Sequence, residues 1–217
     1  MSPTNRDRLL LCIAVLLLWQ LSTAWSKLLD PQLFPQPLQV LKLLAEDREV
    51  FVKSILSSFN LLFWGCTLAT LLAIPLGLIV GWNRRLRLAI EPATNVLGPI
   101  PPIVYIPYAI AILPTFTQSS VFIIFIGAFW PFINILLPGA MPHIVSGGAI
   151  SLVLSFILLT AAEMIGATIG LGWYVKYFSD FADYPRVVAG IIVIGAVVLL
   201  LMTLYQRLTS YLLRWRK

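Results

Sequence analysis

Residues 55–82 read ILSSFNLLFWGCTLATLLAIPLGLIVGW, twenty-eight positions without a charged side chain. About twenty apolar residues suffice for a helix to cross the ~30 Å hydrocarbon core of a bilayer, so this stretch predicts a membrane span. Arg84, Arg85 and Arg87 follow at once, the flank expected on the cytoplasmic side. Pro75 lies inside the span. Gly65, Gly77 and Gly81 would let neighbouring helices approach closely.

The same pattern repeats along the chain. Upstream, Leu9 to Trp25 forms a first apolar run behind Arg6 and Arg8. Ala24-Trp25-Ser26 resembles a signal-peptide cleavage site, but the run is long for a signal core and a retained span is the preferred reading. Lys27 to Lys53 carries four basic and four acidic residues with Pro31, Pro35 and Pro37. It reads as an external segment ending in a short surface helix. Downstream, Val96 to Leu113 holds Pro99, Pro101, Pro102 and Pro107 and reads as a span with a broken start. Such backbone is tolerated at membrane depth only under protein or beside a water-lined cavity. Further spans are expected over Ser119–Leu136, Ala149 to about Trp173, and Val187–Tyr205. The expected fold class is therefore all-α: a polytopic integral membrane protein of about six transmembrane helices. Residues 1–53 form the first span and the external segment, and residues 54–217 form a core of about five spans.

Composition agrees. Hydrophobic residues make up 59% of the 217 and charged residues 11%, with a mean hydropathy of +0.93. Soluble domains carry about a quarter charged residues, and no stretch outside the spans is long enough to bury a core of its own. The net charge of +6 sits at the ends of apolar runs, which points to a lipid membrane and not to nucleic acid. The basic N-terminal tip, the loop after the second span and the C-terminal tail fall on one side of a six-span chain, so both termini are expected in the cytoplasm.

Catalytic signatures are missing. His143 is the one histidine, Cys12 and Cys66 have no metal-ligand spacing, and neither a nucleophile elbow nor a GxxxxGK[ST] phosphate loop occurs. The chain is not read as an enzyme, does not itself hydrolyse a nucleotide, and is expected to need no cofactor or metal. Glu163, in Thr160-Ala161-Ala162-Glu163-Met164-Ile165-Gly166, is the ionisable residue well inside a span. At that depth a carboxyl group must face protein or water, which marks it as a candidate for the transport path or for a helix contact. Pro101, Pro102 and Pro107 are candidates for the same roles, because broken helices line many transport paths.

Taken in order, these stretches resemble the membrane-spanning permease subunit of a type I ABC importer. The branch is the one serving nitrate, sulfonate, taurine, bicarbonate and pyrimidine-type solutes. The likeness is carried by Leu33-Phe34-Pro35-Gln36-Pro37 with Val40, Ile74-Pro75-Leu76-Gly77, and Gly98-Pro99-Ile100-Pro101-Pro102 with Pro107. It continues through Phe129-Trp130-Pro131, Ala161-Ala162-Glu163-Met164-Ile165-Gly166-Ala167 and Gly170-Leu171-Gly172. The resemblance implies ATP-binding cassette ATPase subunits as partners, an external substrate-binding protein, and a pore made with a second copy or a homologous permease. It implies the plasma (inner) membrane as the location.

One part departs from the family pattern. The cytoplasmic motif that begins Glu-Ala-Ala and docks on the ATPase is represented only by its end, Ile135-Leu136-Leu137-Pro138-Gly139. Leu137, Pro138 and Gly139 are the candidate coupling remnant. Between Asn134 and Ile135 the chain is roughly thirty residues shorter than the pattern, a shortfall that span length alone does not reveal. Residues left out of the sequence, a natural deletion and a decayed permease all fit. The first expects a break, with the two Cα atoms farther apart than the ~3.8 Å of a trans peptide. Two rivals to the importer reading stand beside it: a stand-alone capture or secondary transport protein with a closed polar pocket in one protomer, and an assembly protein that transports nothing.

Overall fold

A computed structural model of the protein describes residues 3–25, 30, 33–97, 100–136 and 141–212, and these are mostly helical with no strand among them. α1 (Pro3–Trp25) is followed by short α2 (Pro37–Glu46) and long α3 (Arg48–Trp82). α4 (Arg84–Leu97), a 3₁₀ turn (Pro102–Tyr105) and α5 (Ile106–Ile112) come next. α6 (Phe116–Leu136), α7 (Met141–Gly166), α8 (Leu171–Asp180) and α9 (Tyr184–Leu212) complete the chain. Three described helical stretches are long and apolar enough to cross a membrane: Arg48–Val80, Gly148–Gly166 and Tyr184–Tyr211. Three shorter apolar ones, Ile13–Thr23, Pro102–Ile112 and Phe116–Phe129, bring the apolar segments to six.

The helices that cross are apolar around most of their circumference, so packing between them relies on small residues and close approach. A Cβ on Gly65 of α3 would collide with the Ile124 side chain of α6. That glycine is what brings the two helices together. Leu61 and Leu62 of α3, Ile124 of α6, Phe156 and Leu159 of α7, Leu171 of α8 and Val197 of α9 form the central cluster. Two interhelical hydroxyl bonds add direction. Ser119 donates to the Ala109 carbonyl at 3.1 Å, and Ser151 donates to the Ala128 carbonyl at 3.2 Å. Leu56, Phe63, Leu71 and Leu78 point out of α3, where lipid would meet them.

At one end, α2 lies across the bundle. Val40, Leu43 and Leu44 share one face at helical spacing and pack with Phe51 of α3, Tyr174 of α8, Ala189 of α9 and Trp19 of α1. The surface helix expected before Lys53 is α2, although α3 already begins at Arg48, so position 53 lies inside it.

Three expectations need correction. The third apolar block is not one continuous helix. Prolines 101 and 102 hold back helical geometry, and the 3₁₀ turn plus α5 advance only about 18 Å. The fifth helix starts at Met141 and stops at Gly166, eight residues earlier at its start than Ala149 and seven earlier at its end than Trp173. Gly170, at φ 147°, turns the chain into a separate α8. The expected break between Asn134 and Ile135 is not there. Both lie within the unbroken α6, and only residues 137–140 separate it from α7.

Candidate functional site

Glu163 sits in the last turn of α7 and is 1% exposed. One carboxyl oxygen accepts the Ser58 hydroxyl of α3 at 2.6 Å, and the other accepts the Gly172 N–H of α8 at 2.8 Å. The Ser58 oxygen in turn accepts the Leu171 N–H at 3.1 Å. Helix N-termini carry unsatisfied N–H groups and the positive end of the helix dipole. Glu163 and Ser58 therefore cap α8 from two other helices.

Local backbone makes this geometry possible. Gly170 has a φ that L side chains rarely adopt, and a Cβ there would strike the Glu163 carboxyl group. Gly172 lets the first turn of α8 lie against the Thr160 carbonyl of α7. Both Glu163 oxygens are engaged and closed off, so the arrangement fastens three helices together. Glu163 does not line either of the two cavities described below.

A second polar cluster joins α2, α3, α8 and α9. The Tyr174 hydroxyl donates to Asp47 at 2.7 Å, and the Arg186 Nε donates to the same oxygen at 2.9 Å. Arg186 Nη1 reaches Asp183 at 2.7 Å, and its guanidinium lies 5.1 Å from the Phe178 ring centre. Burial and the Asp47 acceptor push the Tyr174 phenol up from its ordinary value, so it stays a protonated donor. Sequence reading missed Ser58, Asp47, Tyr174 and Arg186. Only Asp183, three residues before Arg186, carried a local signal, since Asp is a preferred helix N-cap.

The broken segment borders the cavities. Pro101 and Pro107 are exposed, and Pro102 is half-buried. Ile106 and Ala109 pack inward with Ile123, Leu158 and Ala162, while Val104, Tyr108 and Ile112 face out. Beside them lies a cavity of about 320 Å³ bounded by Tyr105, Tyr108 and Phe122. A larger one, about 630 Å³, runs between α3 and α6 past Trp64, Leu72 and Phe125. The two share Leu113 and Phe122. Their walls are apolar and aromatic, with the Thr117 hydroxyl and Gln118 amide as polar groups in the larger. Such walls offer few polar groups to orient a charged or polar molecule. The coupling-remnant residues Leu137, Pro138 and Gly139 lie outside the described residues.

Comparison with known proteins agrees with this architecture. Residues 130–217 match the family described as binding-protein-dependent transport system inner membrane component. The chain is 29% identical to the nitrate import permease protein NrtB of Synechocystis, over 68% of this chain and 64% of that protein, so it spans just under two thirds of that relative. It is 28% identical to the taurine transport system permease protein TauC of Escherichia coli, over 92% of this chain and 87% of that protein. Against the bicarbonate transport system permease protein CmpB of Synechococcus elongatus it is 27% identical, over 78% and 70%. The match to the taurine permease runs over 240 positions but takes in 92% of 217 residues, about 200, leaving about 40 positions without a counterpart here.

Proposed function

We infer that this chain, which belongs to the binding-protein-dependent inner-membrane permeases of ABC importers, moves a small solute by alternating access. The solute class is that of its relatives: nitrate, sulfonate, bicarbonate or a pyrimidine-like molecule. The observation that carries the reading is the likeness to the taurine permease over 92% of the chain, together with six apolar helical segments in the same molecule. Separate ATPase subunits supply the work, since the chain has no phosphate loop. An external binding protein supplies affinity, which the apolar cavities could not. Both termini and the Arg84-Arg85-Arg87 segment lie on the cytoplasmic side. Residues 1–53 act as the accessory span and external segment, and 54–217 as the permease core.

The pore forms when the face carrying α5 and the outer side of α6 meets the equivalent face of a second copy or a homologous permease. The segment from Pro101 to Leu113 is short for a span and is broken between a 3₁₀ turn and α5. Lipid cannot satisfy such backbone, whereas a protein partner or a water-filled path can. Pro101, Pro102 and Pro107 then border the path, and Glu163 holds the surrounding helices in register. Reconstitution with the ATPase and binding protein should give ATP-dependent uptake. A Tyr108→Cys variant should crosslink between copies or to the partner permease, while Leu199→Cys, on an exposed part of α9, should not. Uptake without ATP would favour the secondary transporter instead.

A second reading has its own observation. Only residues 137–140 join α6 and α7, and about 40 positions of the taurine permease have no counterpart in this chain. A permease that has lost its coupling helix would keep the fold and no longer grip the ATPase. Co-purification decides between them: an ATPase subunit that co-elutes supports the importer, and its absence from an intact permease dimer supports the uncoupled form.

A further inference from the structure

We propose that α4 is an interfacial helix that holds the anionic headgroups of the surrounding lipid, independently of any solute the protein carries. α3 ends at Trp82, which is 95% exposed. An aromatic ring at the foot of a span belongs at the headgroup level. Asn83 then adopts an extended conformation and interrupts the helix. Its side-chain oxygen accepts the N–H groups of Arg85 at 3.0 Å and Leu86 at 3.4 Å, starting α4 as a separate helix.

α4 is amphipathic. At 100° per residue Leu86, Ala89 and Ile90 share one side, while Arg84, Arg87 and Glu91 share the other. Arg84 and Arg85 are exposed and Arg87 half-buried, and Leu86 and Ala89 are exposed although apolar. α3 is the main neighbour of α4, so this apolar side is not spent on the bundle. Leu88, 59% exposed, falls toward the charged side and departs from the pattern.

The occupant follows from charge and position. Three guanidinium groups against the single carboxyl of Glu91 favour an anionic partner. Guanidinium forks match phosphate oxygens in paired hydrogen bonds. The helix begins one residue beyond the end of a membrane-crossing helix, so its apolar side reaches the acyl boundary while its arginines reach the phosphates. Those are the features of a helix lying in the membrane interface. A docking site on a soluble protein would not need Trp82 and the apolar side to be left open next to the membrane.

The test uses the full chain in proteoliposomes. A fluorophore is placed at Ala89→Cys in a Cys12→Ser, Cys66→Ala background, and quenching by brominated phosphatidylglycerol is compared with brominated phosphatidylcholine. Quenching by both, stronger with the anionic lipid, is the expected result. Replacing Arg84, Arg85 and Arg87 with Gln should reduce that preference at least about threefold, since each basic residue near an anionic surface contributes measurably. It should leave the underlying quenching in place, and unchanged gel filtration and circular dichroism would show that the variant folds. The exposed Arg207→Gln variant should keep the preference. No quenching in either lipid would place α4 in water and overturn the proposal. So would equal quenching by both, an equal loss with Arg207→Gln, or quenching that persists only until the ATPase subunit is added.

Discussion

Two carboxyl groups hold α8, and they do so in opposite ways. Glu163 grips its first turn from inside the bundle, through neutral donors and away from water. Asp47 grips Tyr174 further along, at the edge of the bundle, and shares its oxygen with the partly exposed Arg186. The first is a buried carboxyl group made tolerable by hydrogen bonds alone. The second is an ion pair with access to solvent. Buried polar groups are costly when a partner is lost, whereas exposed pairs contribute little each. The Glu163 contact should therefore dominate the stability of the α3–α7–α8 junction, and the Asp47 contact should tune it.

The sharpest test of that contrast removes the inner group. Glu163→Ala leaves the Ser58 hydroxyl and the Gly172 N–H without their acceptor, and should destabilise the protein by about 3 kcal/mol. Thermal unfolding in detergent would read this directly. Glu163→Gln retains one acceptor oxygen and should lose less, yet uptake by the reconstituted importer should still fall. Normal uptake in a Gln variant of normal stability would reduce Glu163 to a packing detail. Gly170→Ala comes next, at about 2 kcal/mol, because a side chain at φ 147° is strained and its Cβ would strike the Glu163 carboxyl group. A Gly170→Ala protein that melts with the wild type would mean that the α7–α8 turn can relax.

The outer group should behave differently. Asp47→Asn keeps an acceptor for Tyr174 but loses the charge facing Arg186, and should cost about 1 kcal/mol. That difference should shrink in high salt, which screens exposed charges. The Glu163 effects should not change with salt. Equal salt sensitivity at both sites would erase the distinction drawn between them. Ser58→Ala should cost a similar amount, about 1 kcal/mol, since Glu163 still reaches Gly172. A double-mutant cycle of Ser58→Ala with Glu163→Ala should give a clear coupling energy, smaller than the whole Ser58 effect because the Leu171 contact does not involve Glu163. Additivity would show that Ser58 and Glu163 act separately.

Much of this architecture is legible in sequence because bilayers impose a length and a polarity rule on each segment independently. The run 55–82 and its arginines could be read without knowing any neighbour, and α2 was visible as the short surface helix ending the external segment. The interruption of the third block was half-visible in its prolines, but its shortness was not. Glu163 stood out as a carboxyl group at an unfavourable depth. Its partners did not, since Ser58 lies 105 residues away and serine is common in membrane helices. Asp47 and Arg186, 139 residues apart, were equally hidden.

By itself the sequence determined that the chain is helical, that it crosses a membrane, how its segments are ordered, and where Glu163 poses a problem of solvation. Each of these follows from local composition against a solvent that cannot hydrogen-bond. Tertiary structure decided how that problem is solved. α3 presents Ser58, α8 presents the N–H groups of Leu171 and Gly172, and Gly170 bends the chain so that these meet the Ser58 hydroxyl and the Glu163 carboxyl group. Convergence depends on helices distant in sequence being brought side by side, and small-residue packing such as Gly65 against Ile124 is the physical cause of that closeness.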